Sequence, residues 1–274
     1  KKKGCLMYNN EIVCGDCVEV MKDIPDESID MVITSPPYDN LRTYNGYSFD
    51  FERLAHGLFR VIKPGGVVVW VVGDGTEKGS ETGTSFKQAL YFKEIGFNLH
   101  DTMIYQKHNF SNPSRTRYHQ IFEYMFVFSK GKPKTFNPIK DRKNVYGGKA
   151  GSWGKNTVRQ PDGTFKENRR KTNSEYGMRY NIWRMITHNK KAAHPAMFPE
   201  SLAEDHILSW SNEGEIVLDP MVGSGTTCKM AARNNRKYIG IDISEEYCEL
   251  ARERIIGADI EHQDDQSRQV IKTK

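Results

Sequence analysis

Residues 215–227 read Glu-Ile-Val-Leu-Asp-Pro-Met-Val-Gly-Ser-Gly-Thr-Thr. The apolar run before Asp219 predicts a buried strand, and the two glycines after it predict a tight turn into a helix. Glycines at such a turn let the backbone approach a ligand closely, next to the helix N-terminus. This strand–turn–helix unit therefore indicates an α/β fold with a ligand site beyond the strand.

The rest of the chain repeats the same alternation of strands and helices. Further strands are predicted at 11–14, 29–34, 67–72, 98–106, 121–129 and 237–242, and helices at 17–23, 49–62, 84–95, 198–209, 226–234 and 245–254. Alternating elements of this kind favour a mostly parallel, doubly wound sheet. If the strands at 11–14 and 237–242 are neighbours, the two ends of the domain lie close together.

The strand after the glycine turn ends in Asp242, about 20 residues further on, where an acidic side chain can accept hydrogen bonds from ribose hydroxyls. A Gly-x-Gly turn alone is weak evidence, and a ligand-free tight turn is the structural alternative. Nicotinamide enzymes typically add a third glycine, but Cys228 stands at that position. No Gly-Lys-Ser/Thr occurs, which argues against a nucleoside triphosphate site.

The most specific pattern is Thr34-Ser35-Pro36-Pro37-Tyr38, which directly follows a predicted strand. Two prolines hold this turn rigid before any substrate arrives. The Ser35 side chain and the Pro36 carbonyl can each accept a hydrogen bond from one N–H of an aromatic amine. These hydrogen bonds would localise the lone pair of the amine nitrogen for attack on a methyl group. Tyr38 offers a flat face on which a base removed from a duplex can stack. A rigid polar turn without chemistry is the structural alternative.

Positive charge is concentrated in one block. Residues 132–191 hold 16 Lys and Arg against 4 Asp and Glu, so the block carries +12 and the rest of the chain −7, within a total of +5. Such a block suits a polyanion, although a solvated loop is the simpler alternative. Aromatic residues interleaved with the charges favour binding, because solvating segments are usually poor in them. They are Phe136, Tyr146, Trp153, Phe165, Tyr176, Tyr180 and Trp183.

Composition suggests a reduced, non-membrane setting. The five cysteines are an odd number without framework spacing, and no apolar run approaches the roughly 18 residues that span a bilayer. The basic start, Lys1 to Met7, lacks the apolar middle of a secretion signal. We therefore expect a cytoplasmic protein. The Cys14 and Cys17 pair has metal-like spacing but no completing ligands, so no metal is predicted.

Together these motifs resemble the β class of DNA amino-methyltransferases, which modify adenine N6 or cytosine N4. The Ser-Pro-Pro-Tyr turn comes first along the chain, and the basic block follows it. The turn with Gly223 and Gly225, called the glycine loop below, comes last, as in that class. The resemblance implies a circularly permuted, Rossmann-like class I methyltransferase fold that carries a basic target-recognition insertion. It divides the chain into a catalytic half at 8–131, a target-recognition region at 132–191, a cofactor-binding half at 192–256 and a polar tail at 257–274.

The resemblance also implies S-adenosylmethionine as cofactor and assigns residues to it. Asp16 is expected near its adenine ring, and Phe198 and Pro199 near its methionine end. The four residues Ser35, Pro36, Pro37 and Tyr38 are expected to be catalytic. The remaining cofactor contacts are expected at Asp219, Pro220, Met221, Gly223, Ser224, Gly225, Thr226, Thr227 and Asp242.

The target base is less sharply implied. Serine in the motif is more typical of cytosine-N4 enzymes, which we favour, and adenine N6 is the alternative. A cytosine-C5 enzyme needs a Pro-Cys nucleophile, and no cysteine here follows a proline. Methylation of RNA or of a protein glutamine, and a catalytically silent nucleic-acid-binding protein, stay as competing hypotheses. The expected partner is double-stranded DNA, and a homodimer and a cognate restriction endonuclease are compatible with the family.

Overall fold

The computed structural model describes residues 9–37, 50–110, 113, 115–148, 157–167, 173–185 and 199–257. Tyr38, Phe198 and the tail beyond residue 257 lie outside these ranges. The chain forms two compact units. Unit 1 comprises Lys1–Asn137 and Asn181–Lys274, and unit 2 comprises Pro138–Tyr180.

The described elements follow the predicted alternation. In unit 1 the larger strands and the helices are β1 (Glu11–Cys14), α1 (Cys17–Met21), β2 (Ile29–Thr34), α2 (Phe51–Val61), β3 (Ile62–Val72), α3 (Thr84–Glu94), β6 (Asn98–Lys107), β7 (Phe122–Ser129), β12 (Ile182–Met185), α4 (Glu200–Trp210), β13 (Ile216–Asp219), α5 (Thr226–Arg233), β14 (Lys237–Asp242) and α6 (245–257). The short strands are β4 (Thr76–Glu77), β5 (Ser80–Glu81), β8 (Arg142–Lys143), β9 (Thr157–Arg159), β10 (Phe165–Glu167) and β11 (Tyr176–Gly177).

Eight strands form one sheet in the order β1-β14-β13-β2-β3-β7-β6-β12. Every neighbouring pair is parallel except the two pairs that include β7, so β7 alone among these strands runs against the others. The predicted mostly parallel sheet is therefore confirmed. β1 pairs with β14, which confirms the predicted adjacency of the first and last strands and the permuted order of the fold.

Helices cover both faces of the sheet. On one face α1 packs against α2 and α2 against α3, above a core that includes Trp70, Phe92 and Phe126. On the other face α4 packs against α5, and the His206 ring of α4 lies 3.3 Å from the Met125 sulfur. Met125 precedes Phe126 in β7, and successive side chains of a strand point to opposite faces, so these two helix layers enclose the sheet.

Two elements depart from the sequence-based prediction. Residues 63–66 lie between the predicted helix at 49–62 and the predicted strand at 67–72, but in the structure they belong to β3. Gly65 takes a φ of +82°, and its N–H donates to the Lys130 carbonyl, so the chain enters the strand without a separate loop. β12 lies inside the region predicted for target recognition, yet it pairs with β6 at the sheet edge, with Trp183 and Met185 buried.

Unit 2 is built from short antiparallel pairs. β8 pairs with β11, and β9 pairs with β10. Arg179 donates to the Asp141 carboxylate, and the Arg142 guanidinium lies 4.7 Å from the centre of the Tyr180 ring. This unit is narrower than the predicted 132–191 region, because 132–137 and 181–185 belong to unit 1.

Candidate active site

The two sequence motifs lie at the carboxyl ends of neighbouring strands. β13, which leads into the glycine loop, pairs with β2, which leads into the Ser-Pro-Pro turn. From β13 the chain continues to β14, on one side of this pair, and from β2 it continues to β3 on the other side. Such a reversal of strand order opens a crevice at the carboxyl ends, where ligands bind in open α/β sheets.

Buried hydrogen bonds join the two strand ends. The Thr34 hydroxyl donates to Asp219 Oδ1 across 2.7 Å, and the Met221 N–H donates to the same oxygen across 3.1 Å. The Thr227 hydroxyl, at the start of α5, donates to the Ile33 carbonyl across 3.3 Å. Burial raises the pKa of Asp219 to about 6, although the hydrogen bond from Thr34 opposes that shift.

The glycine loop adopts the backbone conformation that its sequence predicts. Gly223 and Gly225 have φ values of +48° and +82°, which side chains disfavour. A Cβ on Gly225 would lie 2.8 Å from the Ala251 Cβ of α6, so the loop also depends on close packing. Asp242 Oδ2 accepts from the Gly223 N–H across 2.9 Å, and Asp242 Oδ1 accepts from the Ser244 N–H across 3.0 Å. Burial raises the pKa of Asp242.

An ionic cluster that the sequence analysis missed supports this loop. From α6, Arg254 Nη1 donates to the Ser224 carbonyl across 2.6 Å and to the Ser224 hydroxyl across 2.8 Å. Arg254 Nη2 and Lys229 Nζ both donate to Glu200 Oε1, at 2.8 and 2.9 Å. Burial acts to raise the pKa of Glu200, but the two cations outweigh it and lower that pKa. The cluster links the loop to the start of α4, next to Pro199.

The remaining predicted site residues have these positions. Ser35 and Pro37 are half-buried and Pro36 is buried, directly after β2. Pro220, Ser224, Gly225, Thr226 and Thr227 are buried, while Met221 and Gly223 are half-buried. Pro199 caps α4. Asp16 is exposed and caps α1 by accepting from the Glu19 N–H, a structural role that sequence reasoning did not assign. The Gly15 N–H beside it donates to the Asp242 carbonyl, so Asp16 lies at the same sheet edge.

The family model of the DNA methylases that act on N6 and N4 amines matches residues 29–253. The chain belongs to this family. The match includes the Ser-Pro-Pro turn, unit 2 and the glycine loop. The predicted resemblance to DNA amino-methyltransferases is thereby confirmed.

Named relatives agree with this assignment. The orphan methyltransferase M.BamHII of Bacillus amyloliquefaciens is 61% identical over 243 residues, which cover 85% of this chain and 91% of that protein. The type II methyltransferase M.HpaI of Haemophilus parainfluenzae is 30% identical over 262 residues, which cover 90% and 74% of the two chains.

Solved structures share the fold. The PvuII DNA methyltransferase, described as cytosine-N4-specific, superposes with a TM-score of 0.65 at 20% identity and covers 90% of this chain and 86% of its own. M1.HpyAVI in complex with S-adenosylmethionine superposes with a TM-score of 0.61 at 24% identity and covers 89% and 98%. These likenesses confirm the predicted class I methyltransferase fold.

Two kinds of feature are absent from the described ranges. No described helix is long and apolar enough to cross a membrane. Within the same part of the chain, no three His, Cys, Asp or Glu side chains come together as metal ligands.

Proposed function

We propose that this DNA methyltransferase transfers a methyl group from S-adenosylmethionine to the N4 amine of a cytosine flipped out of double-stranded DNA at a specific site. The observation that carries the proposal is the meeting of two motifs at one crevice. The Ser35–Pro37 turn and the glycine loop follow adjacent parallel strands, and the Thr34–Asp219 hydrogen bond joins those strands. A site for an amine and a site for a methyl donor are thereby brought side by side.

The residues of the glycine loop fit S-adenosylmethionine. This cofactor carries a ribose with two hydroxyl donors, and when bound it supplies an electrophilic methyl group. Asp242 is held at the loop by two backbone N–H groups, and each carboxylate oxygen keeps a further lone pair for a ribose hydroxyl. Gly223 is half-buried and carries no side chain that would block close approach of a ligand, whereas Gly225 lets the loop pack against Ala251 of α6. Asp16, Pro199 and Phe198 complete the proposed cofactor contacts.

The Ser35–Pro37 turn is the catalytic turn of this proposal, and it acts on the amine of the base. The Ser35 hydroxyl oxygen and the Pro36 carbonyl each accept a hydrogen bond from one N–H of the amine. These two hydrogen bonds draw the nitrogen lone pair out of conjugation with the ring. Burial of Pro36 and the fixed φ of both prolines hold these acceptors in place before the base arrives. Tyr38 stacks on the flipped base. The neutral Ser35 hydroxyl can accept from either amine, and the choice of cytosine N4 over adenine N6 rests on the resemblance to family members that carry Ser in this motif.

Unit 2 supplies the DNA-reading surface in this proposal. Lys140, Lys143, Arg159 and Lys166 are exposed there, together with the aromatic side chains of Phe165 and Tyr180. Exposed cations position phosphates, and a few side chains read base edges.

M.BamHII is named an orphan methyltransferase. By that similarity we propose that this enzyme, which we place in the cytoplasm, works without a cognate endonuclease. The homodimer stays a prediction, which sedimentation of the purified chain tests.

The decisive experiment identifies the modified base. The purified chain is incubated with methyl-labelled S-adenosylmethionine and, in separate reactions, with double-stranded DNA, RNA and protein. The labelled product is digested to nucleosides and separated by chromatography with mass detection. We expect label in DNA, in N4-methylcytosine.

The outcomes are distinct. Label in N6-methyladenine would overturn the choice of base but keep the amine chemistry. Label only in RNA or protein would overturn DNA as the substrate. DNA binding without any methyl transfer would favour the catalytically silent protein.

A further inference from the structure

Thr34 lies where the two halves of the site meet. It is the last residue of β2 and directly precedes Ser35. Its side chain is 0% exposed, and its hydroxyl donates to Asp219 Oδ1 across 2.7 Å. Because the Met221 N–H donates to the same oxygen, one carboxylate joins the end of β2 to the first turn of the glycine loop.

Backbone pairing alone does not hold these strand ends together. The pairing of β13 with β2 joins Val217 to Met31 and Leu218 to Val32, so it ends two residues before Thr34. Beyond that point side chains supply the connections, through Thr34 and through the Thr227 hydroxyl that donates to the Ile33 carbonyl. The separation of the catalytic turn from the glycine loop therefore depends on these hydroxyls.

We propose that Thr34 is a positioning residue for methyl transfer: its buried hydroxyl fixes the Ser35–Pro37 turn relative to the glycine loop by donating to Asp219. The inference rests on the proposed function, because it concerns the distance between the amine site and the methyl-donor site. Catalysis that depends on proximity is sensitive to small displacements, and a shift of about 1 Å can lower a rate by roughly 100-fold.

The hydrogen bond also has an electrostatic consequence. Burial raises the pKa of Asp219 to about 6, and donation from Thr34 and from the Met221 N–H acts in the opposite direction. The nearby Asp242 carboxylate raises that pKa further, and the buried Cys228 thiol of α5 also lies in the field of Asp219. Without the Thr34 donor, Asp219 ionises at a higher pH.

The test compares Thr34→Val, which keeps the branched shape without the donor, with Thr34→Ser, which keeps the donor. Ser129→Ala is the matched control, because Ser129 is also 0% exposed and its hydroxyl donates to the Gly131 carbonyl. Ser129 lies at the ends of the strands that are remote from the crevice. Single-turnover methylation of DNA is measured against pH at saturating S-adenosylmethionine. Rates are normalised to the fraction of protein that binds the cofactor, which corrects for unfolded material.

We expect Thr34→Val to lower the single-turnover rate about tenfold and to keep the cofactor Kd within about threefold. The acidic limb of its pH profile should move to higher pH, because loss of the donor raises the pH at which Asp219 ionises. Thr34→Ser should restore both rate and profile, and Ser129→Ala should match the wild type in both.

A Thr34→Val protein with the wild-type rate and pH profile would overturn the inference. If Thr34→Val yields no cofactor-binding protein, Thr34→Ala replaces it under the same criteria. Failure of the wild type to methylate DNA would instead overturn the proposed function, so the two failures are distinguishable.

Discussion

Unit 2 differs from the crevice at the ends of β2 and β13 in how far its side chains are exposed. At the crevice Thr34 and Thr227 are 0% exposed and Asp219 is 2% exposed, and their hydrogen bonds join distant parts of the chain. In unit 2 the strands have two or three residues, and Phe165 and Tyr180 are each 67% exposed. The difference teaches that the proposed chemistry sits on fixed backbone, whereas the proposed DNA-reading surface can vary without disturbing the sheet.

The largest effect should come from the catalytic turn. Ser35→Ala removes the proposed side-chain acceptor for the amine, and we expect the single-turnover rate to fall by roughly 100-fold. The Kd for S-adenosylmethionine, measured by calorimetry, should stay unchanged because the proposed function assigns Ser35 to the amine and not to the cofactor. A variant that methylates at the wild-type rate would remove Ser35 from the proposed chemistry.

Asp219→Asn tests the electrostatic character of the crevice. A folded pKa of about 6 lies above the unfolded value of about 3.9, so the charged carboxylate opposes folding once the pH exceeds both values. The neutral amide oxygen can still accept from Thr34. We expect Asp219→Asn to be more stable than the wild type at pH 8, by up to about 3 kcal/mol. Urea unfolding measures this difference.

The same stability difference should disappear below about pH 3, where Asp219 is mostly protonated in both states. A gain that is equal at pH 8 and pH 3 would argue that packing, not charge, is its source.

Arg254→Gln tests the support beneath the glycine loop. The change removes the cation that donates to Ser224 and Glu200, and we expect the Kd for S-adenosylmethionine to rise about tenfold. Arg252→Gln is the matched control from the same helix, since Arg252 donates to Glu245 and to the Ile12 carbonyl instead. Equal losses of affinity in both variants would show a general effect on α6.

The smallest effect is expected in unit 2. Lys143 is exposed, and Lys143→Ala should weaken DNA binding a few-fold and reduce the slope of log Kd against log salt by about 1, with the cofactor Kd unchanged. Lys93→Ala is the control, because Lys93 lies near the end of α3, at the sheet edge opposite the crevice. If both variants keep the same salt slope as the wild type, unit 2 does not contact phosphate through Lys143.

Much of the fold could be predicted because its signals are local. The apolar run of β2 and the strand–glycine–helix pattern around Asp219 each lie within about a dozen residues, and the rule for parallel strands then places their carboxyl ends at one edge. The predicted bounds of β1, β2 and β14 match those in the structure.

The supporting contacts could not be predicted because their partners are far apart in the chain. Thr34 and Asp219 are separated by 185 positions, and Arg254 and Glu200 by 54, without any periodic pattern that links them. β12 alternates between exposed and buried residues, but its sequence Ile-Trp-Arg-Met does not alternate between polar and apolar residues, because Ile182 is exposed, and the strand lies within the basic block. The roles of Tyr38 and Phe198 stay predictions, as both residues lie outside the described ranges.

The pairing of β1 with β14 has a consequence for biosynthesis. β1 is the first described strand to leave the ribosome and β14 the last, and β2 likewise waits for β13. At roughly 5–20 residues per second, the nascent chain holds these apolar segments without their neighbours for on the order of ten seconds or more. Completion of the central sheet therefore waits until β13 and β14 have been synthesised, and β1 and β2 lack these neighbours until then.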